Sequence, residues 1–195
     1  MRRLPIIIAA LLVPTAAFAH PDISHAAGLL SGFEHPLGGI DHVLAMMAVG
    51  VFAFVLGGRA LFVVPLSFVG MMTAGFLLGA GGVELPFVEL AIGLSSVIIG
   101  GAAALSRPMS TAGAAALVGV FAIFHGHAHG AEMPANAGGV LYAAGFVAAT
   151  ALLHVVGIGA AGGSSKLVGK FDGLVARIAG GSFAVGGVGV LLGWI

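Results

Sequence analysis

The chain has 195 residues, of which 59% are hydrophobic and only 7% charged, with a formal net charge of zero and no cysteine. A soluble domain carries about a quarter charged residues, so this composition, with a mean hydropathy of +1.17, places the chain in a lipid bilayer. The neutral charge and the lack of a basic patch argue against nucleic acid as a partner. The absence of cysteine excludes disulfides, thiolate metal sites and cysteine nucleophiles.

The N-terminal stretch 1–19 reads as a secretory signal. Arg2 and Arg3 precede the apolar run Ile6 to Val13, and Ala17-Phe18-Ala19 forms a small-x-small cleavage site. Cleavage after Ala19 is expected, with an uncleaved anchor as the alternative. It leaves His20 as the mature N-terminus outside the cytoplasm of a bacterial-type envelope. An N-terminal His20 offers a metal both amine and imidazole, and with Asp22 and His25 it makes a loose metal-collecting segment or simply a solvated leader.

Six hydrophobic segments follow, at about 36–56, 60–80, 86–105, 109–130, 138–161 and 174–195. The apolar runs are continuous and do not alternate, which favours helices over a barrel. The expected fold is therefore an all-α membrane protein, with one domain of six transmembrane helices over 20–195. Many of the 34 glycines are expected at helix contacts, notably the pairs Gly75/Gly79, Gly126/Gly130 and Gly189/Gly193, spaced by four.

Basic residues set the orientation. Arg59, Arg107, Lys166, Lys170 and Arg177 fall on alternate connections, which are expected to be cytoplasmic, whereas Glu84 and Glu132 lie on the opposite turns. Both mature termini then face outside, as an exported N-terminus and six spans require.

The chemistry-bearing residues are few and clustered. Pro36 is expected as the first residue of the first span, with Asp41 and His42 about two turns into the bilayer. An ionised Asp41 needs a partner there, and it either orients His42 or binds metal itself. Glu89 enters the third span at its outer end. In the fourth, His125 and His129 stand at i and i+4 with Glu132 three residues on, so the three share a helix face, and His127 points elsewhere. His pairs one turn apart with a carboxylate suit a divalent transition metal. A single histidine on such a face would more simply be a packing residue, but several within a membrane segment point to metal or proton chemistry. His154 lies deeper, about sixteen residues or roughly 24 Å into the fifth span.

With His35-Pro36-x-x-Gly39-x-Asp41-His42 and Phe124-His125-Gly126-x-Ala128-His129-Gly130-x-Glu132, the chain resembles the HupE/UreJ family, the nickel permease-like accessory proteins of hydrogenase and urease systems. Leu153-His154-x-x-Gly157-Ile158 is similar to the family's pattern as well. The resemblance implies movement of Ni2+, or Co2+ in some members, across the inner membrane toward the cytoplasm. It also implies that His35, Asp41, His42, His125, His129 and Glu132 are the metal-handling positions; His20, Glu89, His127 and His154 are secondary candidates by their own chemistry and placement. No prosthetic group is expected, the divalent ion (Ni2+, with Co2+ or Zn2+ as alternatives) being cargo. The bilayer is the obligatory surrounding, and a homo-oligomer or metallochaperones on the cytoplasmic side are further expected partners. Rival readings are an intramembrane zinc hydrolase, a membrane metal chaperone or sensor, and a haem-binding electron carrier.

Overall fold

The computed structural model describes residues 25–134, 138–168 and 172–194. The expected signal segment, its cleavage site and His20 lie outside the described residues. Among the described residues every regular element is a helix: α1 His25–Gly38, α2 Ile40–Leu56, α3 Ala60–Ala80, α4 Val88–Leu105, α5 Thr111–Ala131, α6 Gly139–Val168 and α7 Asp172–Leu191. The five helices α3 to α7 are each long and apolar enough to cross a membrane. Helix α3 coincides with the expected segment 60–80, and α6 runs several residues beyond the expected 138–161.

The first expected span, 36–56, is not one helix. Helices α1 and α2 meet at an angle of 85°, and the hinge is Gly39, whose backbone is extended at φ −101° and ψ 119°. Pro36, expected to begin a helix, instead lies inside α1. Its missing N–H weakens the end of α1, and Gly38 and Gly39 are poor helix formers that let the chain break there. Asp41 and His42 consequently stand in the first turn of α2 and not two turns inside a span.

Helix α2 is the hub, packing against each of the other six helices among the described residues. Ala45, Met46, Val49 and Phe52 on it are buried, while the outward faces of α3, α6 and α7 carry exposed Phe62, Leu66, Val140, Val155 and Val185. An apolar exterior around an apolar core is what a bilayer demands of a bundle.

Glycines set the closest contacts. A Cβ added at Gly75 would collide with the Ile123 carbonyl and one at Gly79 with that of His127; reciprocally, Cβ atoms at Gly126 and Gly130 would collide with the carbonyls of Met72 and Phe76. The α3–α5 seam is thus backbone on backbone, as the four-residue spacing suggests. Gly50 and Gly157 do the same for α2 and α6. Gly193 does not share this role: it lies past the end of α7 at φ +68°, with nothing nearby for a Cβ to meet.

The bundle has two chemically distinct ends. The α2–α3 and α4–α5 connections carry Arg59 and Arg107, and at the same end Arg177 donates from Nε to the Ala104 carbonyl at the C-terminal turn of α4, 2.9 Å away. A cation there meets the negative end of the helix dipole. The α3–α4 and α5–α6 connections at the opposite end carry Glu84 and Glu132.

Candidate metal site

The break at Gly39 gives α2 a free N-terminus at the acidic end of the bundle. Asp41, in that first turn, accepts both the backbone N–H and the ring Nδ1–H of His42 on one carboxylate oxygen, each at 2.8 Å. The positive end of α2 adds to the stabilisation of the carboxylate. Asp41 therefore has the partner it needs without a metal. With Nδ1–H committed to Asp41, His42 keeps a bare Nε2, which is buried and has no partner within the protein.

Helix α5 brings His125 and His129. Its Gly126 and Gly130 are pressed against α3, and each histidine sits one residue round the helix from a glycine, so the rings turn away from the seam. The His42 ring lies between them, with centroids 4.9 Å from His125 and 4.5 Å from His129. From α1, His35 approaches His129 at 4.7 Å, and its Nε2 is 3.4 Å from a Glu132 carboxylate oxygen. Glu132 terminates α5 as its C-cap residue. The Glu132 and His35 side chains are 57% and 37% exposed, whereas His129 and His125 are buried.

These contacts form a ladder of ligand-bearing side chains from rim to core: Glu132, His35, His129, His42 with Asp41, and His125. Phe68 then touches both His125 and His154, at 5.7 and 5.1 Å between centroids, so His154 stands one ring beyond the ladder. All six primary sequence candidates belong to the ladder. They meet in successive pairs; among the described residues no group of three or more His, Asp or Glu side chains is arranged to hold one metal ion. From the helix face they were expected to share, His125, His129 and Glu132 each make contacts to α1 or α2.

The secondary candidates separate. His127 faces away and bonds through Nε2 to the Val83 carbonyl before α4. Glu89 is exposed in the first turn of α4 and takes no part in the ladder contacts. His154 is buried with neither ring nitrogen partnered in the protein.

Three contributors were not read from the sequence. Ser95 on α4 places its hydroxyl 2.9 Å from His125 Nε2. Tyr142 on α6 packs its ring 5.9 Å from His35, and Phe146 lies 4.1 Å from His129. The available signals were the adjacent Ser95-Ser96 hydroxyls in an otherwise apolar run and the single tyrosine of the chain.

Buried polar groups without partners are rare and cost about 1–3 kcal/mol each. Here they concentrate on imidazole nitrogens: His42 Nε2, His125 Nδ1 and both nitrogens of His129 lie along the ladder. A neutral imidazole keeps one nitrogen as a lone-pair donor, so what the ladder offers a cation here is three rings, His42, His125 and His129.

The sequence model of the family described as HupE / UreJ protein matches residues 8–191. Protein HupE of Rhizobium leguminosarum bv. viciae is 46% identical over 186 residues, which cover 95% of this chain and 95% of that relative. No solved structure matches the chain.

Proposed function

The chain belongs to the HupE/UreJ family, and from that premise we propose that it is a secondary permease carrying Ni2+, with Co2+ as a second cargo, across the inner membrane for metalloenzyme maturation. The observation that carries this reading is the ladder itself, which offers nitrogen and oxygen donors from an exposed rim to a buried core, with unpartnered nitrogens on three imidazoles on the way. Such donors suit a first-row divalent ion. Their arrangement in pairs suits passage over retention, because a transport site must release what it binds.

In this reading α2 is the remaining crossing and α1 lies against the bundle at the outer face, making six crossings with both ends outside. The arginine-bearing end is cytoplasmic, following the bias of basic residues to that side, and the rim of the ladder then faces the source of metal. The membrane potential supplies about 2.3 kcal/mol per charge per 100 mV, and roughly twice that for a divalent cation. Glu132 and His35 collect the ion, His129 and His42 receive it as water is stripped, and His125 is the innermost ligand of the ladder. A zinc hydrolase would instead fix its ion with three protein ligands and one open position, a requirement that the paired donors do not favour.

The test is uptake of radioactive nickel by cells producing the wild-type chain, His129→Ala or Asp41→Asn, with cobalt and zinc as competitors. Saturable uptake that falls by roughly tenfold or more in both variants at equal protein levels is expected. Binding without accumulation would overturn the permease reading in favour of a metal chaperone.

A further inference from the structure

We propose that Ser95 is a positioning residue for His125: its hydroxyl holds the ring proton on Nε2 and so keeps Nδ1 bare for the passing cation. The inference rests on the permease reading above, since it assigns Nδ1 as the donor atom.

The assignment follows from counting protons. Ser95 is completely buried, and its Oγ lies 2.5 Å from the Ile92 carbonyl oxygen, one turn earlier in α4, and 2.9 Å from His125 Nε2. A serine hydroxyl has one proton to donate. If that proton goes to Ile92, the serine oxygen accepts from His125 Nε2–H, both contacts are hydrogen bonds, and Nδ1 carries a lone pair. If the proton goes to His125 instead, Ser95 and Ile92 oppose two lone pairs at 2.5 Å. The Nδ1–H then becomes a buried donor, and Nδ1 has no partner within the protein. Orphaned buried N–H groups are the rarer arrangement, so the first alternative prevails on both counts.

The neighbouring ring is preset by different means. Asp41 holds His42 Nδ1–H and leaves Nε2 bare. The two innermost rings of the ladder, 4.9 Å apart, therefore present opposite nitrogens, Nε2 from His42 and Nδ1 from His125. Within the ladder, His129 lacks a partner on both nitrogens and is free to take either tautomer. An ion moving inward passes from an uncommitted imidazole to two committed ones, the deeper fixed by a neutral hydroxyl that adds no charge to the apolar core.

The experiment combines two readouts on the full chain in lipid bilayers. Solid-state NMR with isotope-labelled histidine reports the protonated nitrogen of His125, its signal assigned by loss in His125→Gln, and nickel uptake into vesicles gives the half-saturating concentration and maximal rate. Wild-type His125 is expected in the Nε2–H form. Ser95→Ala is expected to mix the tautomers and raise the half-saturating nickel concentration by roughly tenfold or more, and Ser95→Thr, which keeps the hydroxyl, to restore both. A wild-type His125 protonated on Nδ1 would overturn the proposal, whatever the fold of the Ser95 variants. Unchanged uptake by a well-folded Ser95→Ala protein would overturn it equally. A wild-type chain that moves no nickel would sink the permease reading instead and leave the tautomer result standing.

Discussion

Asp41 and His127 illustrate how placement decides the work of a polar side chain in an apolar bundle. Asp41 sits where a helix N-terminus, a backbone N–H and an imidazole N–H converge, so its charge is accommodated and its effect passes to the bare Nε2 of His42. His127, two residues from either ladder histidine, instead bonds the Val83 carbonyl and pins the turn before α4. Replacing His127 by alanine removes one partly buried hydrogen bond and should cost about 1 kcal/mol. Thermal denaturation in detergent should show the loss, while nickel uptake per molecule stays within about twofold of wild type. A loss of uptake as large as that of His129→Ala would place His127 on the path. The sequence disclosed the ladder residues because histidines and acids are conspicuous in a membrane segment. Ser95 was not legible, since a buried serine commonly bonds its own helix, and only the approach of α5 reveals its second contact.

The helices themselves were legible wherever hydrophobic length alone decides them. Helix α3 matches its expected bounds, yet the first span does not, because the apolar run continues through the point at which the backbone turns by 85°. Pro36 and the Gly38-Gly39 pair read equally well as a start or as a break; what selects the break is the docking of α1 on α6, where Gly32 and Gly145 let the two backbones touch. The resulting hinge delivers both His35 and the free N-terminus of α2 to the same rim. Glycine spacing likewise pointed to the α3–α5 seam, although spacing alone did not separate it from Gly189/Gly193. The contrast within α3 is testable. Gly75→Ala must push the Ile123 backbone away, whereas Gly70→Ala meets nothing within 4 Å. The first should destabilise the bundle by about 1–3 kcal/mol and lower both the melting temperature and uptake, and the second should leave both nearly unchanged. Equal tolerance of the two would contradict the backbone-on-backbone seam.

As one body, the molecule is a bundle with an apolar outside, an arginine end, an acidic end and a polar line descending from the acidic end into its centre. Helix α2 connects these features, since it touches every other described helix and begins at the ladder. The composition established the bilayer and the alternation of basic residues suggested which end faces inward, because both depend on local chemistry. The pairing of donors was beyond sequence reading, because it arises where α1, α2 and α5 meet and not from spacing along any one of them. The decisive measurement is nickel accumulation by sealed proteoliposomes containing only this chain, under an imposed potential negative inside, for the wild type and His129→Ala. Accumulation that saturates with nickel, grows with the potential and falls at least tenfold in the variant is the expected result; nickel that binds the protein but never enters the lumen, or enters equally well without His129, would contradict the ladder as a route for metal.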